Sequence, residues 1–205
     1  MDITFLLKGL AIGFSIAAPV GPIGVLCIRR TLVQGRASGF VSGLGAATAD
    51  AIYGCIAGFG LAFISSFLVG QQMWLSLVGG LFLCFLGLKI LLARPAEQAA
   101  SGAGNGLLGD YASTFFLTLT NPMTIISFAA IFAGLGLATG SGDYMSAGVL
   151  VLGVFIGSAL WWLMLSTGVG AFRVKFNPHG MQWVNRISGA IITGFGGFAL
   201  LTALR

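Results

Sequence analysis

The sequence predicts an all-α integral membrane protein of six transmembrane helices, arranged as two inverted three-helix repeats with broken first helices. Three observations lead to this fold class. Of the 205 residues, 57% are hydrophobic and only 7% are charged, whereas a soluble domain carries about a quarter charged residues. The second half of the chain repeats the first at a nearly fixed displacement. Each half also contains a proline break at a corresponding place.

The internal repeat is clearest near the end of each half. Five residues recur 109 positions later: Trp74, Gly80, Gly87, Leu91 and Leu92 correspond to Trp183, Gly189, Gly196, Leu200 and Leu201. Two earlier residues recur at a displacement of 108: Gly45 and Tyr53 correspond to Gly153 and Trp161. At the breaks, Gly21-Pro22 corresponds to Asn121-Pro122 at a displacement of 100. A duplicated membrane chain with matching helix breaks is typical of transporters.

Hydropathy, together with the positions of glycine and proline, predicts six spans, because about 20 apolar residues cross the hydrocarbon core of a bilayer. The spans cover residues 3–28, 38–68, 72–93, 111–138, 144–170 and 183–204. The first span has some features of a signal peptide, but Pro19 directly follows the candidate cleavage site, so we expect a retained span. Residues 1–94 form the first repeat, 95–109 a flexible cytoplasmic linker, and 110–205 the second repeat.

The basic residues predict the orientation in the membrane. Eight of the ten lie in or beside the first, third and fifth connections: Arg29, Arg30, Arg36, Lys89, Arg94, Arg173, Lys175 and Arg186. By the positive-inside rule that side is cytoplasmic, which leaves both termini periplasmic. Because each repeat has an odd number of spans, the second repeat enters the membrane inverted. Basic residues scattered among apolar spans do not indicate nucleic acid as a partner.

The two breaks form the first candidate site. Residues 17–24 hold two prolines and two glycines, and each proline removes a hydrogen bond from a helix. In the second half, asparagine is a favoured N-cap and proline suits the first helical position, so a new half-helix is predicted there. The first half permits the same start with glycine as a weaker cap. Each half-helix would present unsatisfied N–H groups that can hold a carboxylate, the alternative being a plain kink without ligand. The candidate substrate-binding residues are Pro19, Gly21, Pro22, Asn121 and Pro122.

Asp50 is the one acidic residue in the middle of a predicted span. A carboxylate at that depth costs about 2.5–3.5 kcal/mol on insertion scales, so such a residue is usually functional. We expect no basic residue at similar depth, and a carboxyl group in such surroundings suits proton coupling. The alternatives are a solvated position in a polar vestibule and structural hydrogen bonds from Thr48 or a neighbouring helix. Its counterpart in the repeat is Ser158.

Other functional classes find little support in the sequence. A metal or cation exporter would need several acids or histidines at mid-depth, and only Asp50 is predicted there. A thiol–disulfide carrier would need cysteines at the breaks, but Cys27 lies five residues past Pro22. One histidine and five acids assemble no catalytic constellation. We therefore expect no enzymatic activity, no bound metal and no cofactor.

Several motifs resemble those of a known family. The first half contains AAPVGPIG at 17–24, followed by RRTL at 29–32 and a Gly/Ala-rich span through Asp50. The second half contains FLTLTNP at 116–122 and a glycine-rich segment at 153–162 that ends in two tryptophans. In these motifs the chain resembles the LysE/RhtB family of amino-acid exporters over nearly its whole length.

The resemblance implies a multi-pass secondary transporter that exports amino acids or close derivatives across the bacterial inner membrane, driven by the proton gradient. It points to Asp50 and to the five break residues named above. From the residues, backbone groups after Pro22 and Pro122 would hold the substrate carboxylate, while Asp50 would take the proton or pair with the substrate amine. A single mid-span acid favours a neutral zwitterion over a cationic substrate.

Export of this kind is expected to proceed by alternating access, as one repeat rocks against the other. The expected partners are a small amino-acid substrate, a proton and the lipid bilayer, and homo-oligomer formation stays open. Two alternatives are kept: a cation or metal exporter of a related six-helix fold, and a non-transporting membrane scaffold.

Overall fold

The computed structural model describes residues 3–19, 21–58, 70–92, 106–134, 144–172 and 178–204. All regular elements in these ranges are α-helices. In chain order they are α1 (Ile3–Ala17), α2 (Pro22–Gln34), α3 (Arg36–Gly58), α4 (Gln72–Leu91), α5 (Gly106–Leu119), α6 (Pro122–Gly134), α7 (Tyr144–Phe172) and α8 (Pro178–Ala203). Residues 59–68 of the second predicted span and residues 95–105 of the predicted linker lie outside the described residues.

Four of the described helices are long and apolar enough to cross a membrane, namely α3, α4, α7 and the part of α8 from Gln182 to Ala203. Helices α1 and α2 pass the same test only as a pair, bent by 81° at the break between them. Helices α5 and α6 have 14 and 13 residues, fewer than the ~20 that a straight span needs. The protein is thus an all-α, multi-pass membrane protein, whereas the number of six spans stays a prediction.

Two predicted spans are divided near their prolines. Helix α2 begins at Pro22 and α6 begins at Pro122, so the predicted spans 3–28 and 111–138 each contain two helices. Helix α2 also continues to Gln34, beyond the predicted end of the first span. It ends there because Gly35 has a φ of 114°, a conformation that favours glycine and that terminates helices.

The length of α2 changes the position of two arginines. The sequence analysis assigned Arg29 and Arg30 to the connection after the first span. That assignment was wrong, since both lie within α2 and keep only 5% and 3% of their surface exposed. Polar side chains from α3, α5 and α8 surround them, so a basic pair that is typical of a loop is accommodated inside the bundle.

Glycines let helices from the two halves approach closely. Helix α1 packs on α7, and α5 packs on α3. A Cβ atom at Gly153 of α7 would lie 2.5 Å from the Leu6 carbonyl oxygen of α1. A Cβ atom at Gly45 of α3 would meet the Tyr111 carbonyl oxygen of α5 in the same way. Gly45 and Gly153 are repeat partners. Each therefore allows its own helix to approach a helix of the other half of the chain.

The pair α4 and α8 follows the same pattern. A Cβ atom at Gly80 would lie 3.0 Å from the Gly196 carbonyl oxygen, and one at Gly87 would lie 2.9 Å from the Gly189 carbonyl oxygen. The two helices therefore run antiparallel with their backbones in contact. Gly189 and Gly196 are the repeat partners of Gly80 and Gly87. Each glycine of α4 therefore contacts the repeat partner of the other glycine.

Candidate functional site

A cavity of about 450 Å³ lies beside both breaks. Its volume falls in the range of roughly 300–1,000 Å³ that is usual for small-molecule sites. Much of the wall is apolar and includes Leu83, Phe195 and Phe198. All five predicted substrate-binding residues line it: Pro19, Gly21, Pro22, Asn121 and Pro122. The structure thus brings the two breaks, 100 residues apart in sequence, to one cavity.

A second, smaller cavity of about 70 Å³ links the breaks to the buried acid. It shares four of the five break residues with the larger cavity, all but Pro122, and adds Asp50 and Trp162 to the wall. Gly24 of α2 and Thr118 of α5 complete the polar surface around it. Of the residues that the sequence predicted for the site, all but Pro122 therefore line this smaller space.

Asp50 is 3% exposed and lies where α3 crosses α7. The Ser158 hydroxyl donates a hydrogen bond of 2.7 Å to the Asp50 Oδ2 atom. The alternative donor considered from sequence, Thr48, donates instead to the Leu44 carbonyl of its own helix. Among the described residues Asp50 has no ion-pair partner. The hydrogen bond to Asp50 thus comes from its repeat partner, so two equivalent positions of the repeat contact each other.

The first break leaves the N-terminus of α2 open. The Gly21 N–H donates to the Pro19 carbonyl, and the Val25 N–H donates to the Gly21 carbonyl, both at 3.0 Å. Gly21 has no side chain with which to cap the helix. Within the described part of the chain, the N–H groups of Ile23 and Gly24 have no hydrogen-bond partner. These two donors lie at the positive end of the α2 dipole and can hold an anion.

The second break, in contrast, satisfies its own N–H groups. The Asn121 side-chain oxygen accepts the Met123 N–H at 3.2 Å, as expected of an N-cap, and the Asn121 carbonyl accepts the Thr124 N–H at 3.1 Å. The Asn121 N–H donates to the Thr118 carbonyl at 3.2 Å, and Pro122 has no N–H. The expectation that both half-helices present unsatisfied N–H groups is therefore wrong for α6, because its cap uses them.

The threonines at the second break bond their own helix. The hydroxyls of Thr118 and Thr120 donate to the carbonyls of Thr114 and Phe116, each at 2.9 Å. Their protons are therefore engaged, while their oxygens stay available as acceptors on the cavity walls. The Tyr53 hydroxyl donates to the Leu119 carbonyl at 2.5 Å and so ties α3 to the last turn of α5.

The paired breaks, the buried acid and the cavities between them have the design of a transporter site. Residues 14–203 match the family of LysE type translocators. The chain belongs to this family. It is accordingly a translocator and not an enzyme, as the sequence motifs predicted.

Curated relatives of this LysE type translocator come from two bacterial lineages. YcgF of Bacillus subtilis, for which amino acid efflux is a proposed role, is 27% identical over 195 residues, 93% of this chain and 92% of that protein. The membrane protein YahN of Escherichia coli is 28% identical over 186 residues, 84% of this chain and 77% of that protein. The threonine efflux protein of E. coli is 25% identical over 151 residues, 67% of this chain and 71% of that protein. No solved structure matches the translocator.

The translocator also contains a buried ion pair that the sequence analysis missed. The Nε atom of Arg30 in α2 lies 3.1 Å from the Asp110 Oδ1 atom in α5, with both side chains almost fully buried. Ser38 of α3 donates to the other carboxylate oxygen at 2.5 Å, and Arg30 donates to Ser42 and Thr114 at 2.9 and 2.8 Å. The ion pair was not predicted because Asp110 lies at a predicted repeat boundary, and a single sequence does not show which helix ends lie next to each other.

Arg29 has a different environment from its neighbour. Its Nε atom donates to the Asn185 side-chain oxygen of α8 at 2.9 Å. Among the described residues of the translocator, no carboxylate lies within ion-pair distance of Arg29. The two arginines thus connect α2 to α5 and to α8 through polar contacts at the end of α2 that is remote from the break.

Proposed function

We propose that this LysE type translocator exports amino acids or close derivatives across the bacterial inner membrane in exchange for protons. The observation that carries the proposal is the meeting of both helix breaks and Asp50 at connected cavities. The names of two relatives support the substrate class, since one is a threonine efflux protein and amino acid efflux is proposed for the other.

In this proposal the substrate carboxylate binds at the open N-terminus of α2, not at α6. The N–H groups of Ile23 and Gly24 supply hydrogen bonds, and the helix dipole adds a favourable potential. Asn121 and Pro122 contribute a shaped wall opposite them. Asp50 takes the proton or pairs with the substrate amine. Either role fits a carboxylate that is held by a neutral hydroxyl and lacks a cationic partner in the described residues.

A neutral zwitterion is the substrate that the charges favour. The small cavity offers one carboxylate and helix-terminal donors, which match one amine and one carboxylate. The larger cavity is lined mainly by apolar side chains, and so accommodates an uncharged substrate side chain. A second cationic group on the substrate would find no second acid among the described residues of either wall.

We further propose six spans in two inverted repeats, residues 1–94 and 110–205, joined by a cytoplasmic linker at 95–109, with both termini periplasmic. Reciprocal glycine contacts support this arrangement, because repeat partners exchange places across the α4–α8 contact. The bond between Asp50 and Ser158 supports it as well, since equivalent residues meet only at a symmetry axis. Alternating access follows if one half rocks against the other about that axis.

Efflux from proteoliposomes tests the proposed function. Vesicles loaded with the twenty proteinogenic amino acids are expected to release a subset of them. Release should be faster when the proton gradient is directed into the vesicle, because protons then enter as the substrate leaves. Asp50→Asn is expected to lose the response to the gradient, because an amide takes up no proton. Thr48→Ser serves as the matched control two residues away, since a serine hydroxyl keeps the bond to the Leu44 carbonyl and the bond from the Tyr111 hydroxyl.

The outcomes of the efflux experiment separate the function from its coupling. No release above protein-free vesicles would exclude amino acid export. Release that responds equally to the gradient in wild type and Asp50→Asn would leave the function standing and remove Asp50 from the coupling step.

A further inference from the structure

Trp162 carries a buried donor that the fold does not use. The side chain is 4% exposed, and its Nε1 atom has no hydrogen-bond partner within the described part of the chain. Buried polar groups of folded proteins are nearly always paired, so an orphan of this kind requires an explanation. Trp162 lies on the wall of the small cavity that also reaches Asp50. An acceptor bound in that cavity would satisfy the indole.

Two further unpaired donors lie on the same wall. Ile23 and Gly24 line the small cavity, and their N–H groups have no partner among the described residues. Together with the indole they make three donors that have no acceptor among the described residues, at the positive end of a helix of 13 residues. An ammonium group is itself a donor and cannot pair with them. A carboxylate, which accepts several hydrogen bonds, is the complementary group.

We infer that the Trp162 indole N–H donates to the carboxylate of the transported amino acid, beside the N-terminus of α2. This inference rests on the function proposed above and specifies its binding site. Trp162 thereby selects substrates with a free carboxylate over their amides. A cavity needs about 10–15 Å³ to hold one water, so the small cavity of about 70 Å³ admits a carboxylate group while the substrate side chain occupies the larger one.

The indole donor of Trp162 has no counterpart in the other half of the repeat. The repeat partner of Trp162 is Gly54, at the displacement of 108 that also relates Asp50 to Ser158. Gly54 has no side chain, and a Cβ atom there would already contact Val154 of α7 at 3.6 Å. The carboxyl group of Asp50 thus occurs only in the first half and the indole only in the second. This difference sets the direction of the bound zwitterion.

Packing is the competing explanation for a buried tryptophan. Trp162 belongs to the core cluster with Ile23 and Ala46, and its ring covers Gly43 of α3. Packing depends on the shape of the ring and is indifferent to its N–H group. The experiment must therefore remove the N–H and keep the ring.

Trp162→Phe and Trp161→Phe form a matched pair of variants. Trp161 is the adjacent residue, packs edge-on against Phe14 at a centroid distance of 5.3 Å, and lines neither cavity. Each variant is purified, reconstituted and assayed with an amino acid that the wild type releases, and with the corresponding amide as inhibitor, beginning with L-threonine and L-threoninamide. Replacement of Trp162 by 3-benzothienylalanine keeps the shape of the indole and removes only the N–H, in case phenylalanine prevents folding.

Trp162→Phe is expected to raise the KM about tenfold or more, the usual effect of losing a hydrogen bond to a charged group. The preference of Trp162→Phe for the amino acid over the amide should shrink by the same factor. The benzothienyl variant should show the same two changes. Trp161→Phe should leave both quantities unchanged. An equal loss of affinity for amino acid and amide, or an unchanged KM in the benzothienyl variant, would overturn the inference alone. Absence of release by the wild type would overturn the proposed function, and the inference with it.

Discussion

The two helix breaks share a sequence pattern but differ in their hydrogen bonding. At both, a proline occupies the first position of a new helix. At the second break the Asn121 side chain caps α6 and uses the Met123 N–H. At the first break Gly21 provides no cap, and the next two N–H groups stay unpaired in the described residues. The side-chain oxygen of Asn121, which Gly21 lacks, thus accounts for the difference between the capped N-terminus of α6 and the uncapped N-terminus of α2.

The helices that follow the two breaks also differ in how they are held in the bundle. Helix α2 is held by buried polar contacts, through Arg30 to Asp110 and through Arg29 to Asn185. At the corresponding positions, 100 residues on, α6 has only alanines. An open helix end that binds an anion must keep its position without help from a cap, and the arginines supply that restraint on α2. The comparison therefore supports the proposal that the first break binds the substrate and that the second shapes the cavity.

The largest expected effect concerns the restraint on α2. Arg30→Met removes one partner of a buried ion pair and leaves the Asp110 carboxylate uncompensated, which costs about 3–5 kcal/mol of unfolding free energy. Equilibrium unfolding of the purified protein in mixed micelles measures the change. Arg186→Met, at an exposed position of α8, is the control and should change stability by less than about 0.5 kcal/mol.

The double variant Arg30→Met/Asp110→Leu sharpens this test. Removal of both charges should recover much of the lost stability, because no buried charge is then unpaired. Equal stability of Arg30→Met and Arg186→Met would show that the ion pair does not hold α2.

Converting the first break into the second is expected to separate stability from binding. Gly21→Asn supplies the missing cap, and a Cβ atom at Gly21 would meet nothing within 4 Å. The cap should raise stability by about 0.5–2 kcal/mol, while the engaged N–H groups should raise the KM for efflux. Gly21→Ala, which adds a Cβ without a cap, is the control. A stabilised Gly21→Asn variant with an unchanged KM would exclude the α2 N-terminus as the carboxylate site.

The converse change at the second break should have the smallest effect. Asn121→Ala removes the cap of α6 and is expected to cost about 1 kcal/mol of stability. The KM should change far less than in Gly21→Asn, because α6 does not hold the carboxylate. Unfolding and efflux measured on the same preparation check both statements. A larger rise in KM for Asn121→Ala than for Gly21→Asn would reverse the assignment of roles.

Local features of the site were predictable, and long-range ones were not. The position of each helix start follows from residues adjacent in sequence, which is why Pro22 and Pro122 were predicted correctly. The pairing of Arg30 with Asp110 depends on how α2 and α5 pack, and no local pattern encodes that. The sequence does not reveal the unpaired N–H group of Trp162, since such a group becomes visible only when all of its neighbours are known. The repeat related Asp50 to Ser158, but their contact requires both to lie where the halves meet.

The crossed packing of the helices has a consequence for biogenesis. Helix α1 leaves the ribosome long before α7, the helix on which it packs, and α3 likewise precedes its partner α5. The glycine faces at Gly9 and Gly45 therefore have no partner until the second half of the chain has been inserted. Neither half can reach its final packing alone, and α1 lacks its main packing partner until α7 has been inserted. Assembly of this protein is consequently a late, nearly simultaneous event, and a truncated first half would display its glycine faces to lipid.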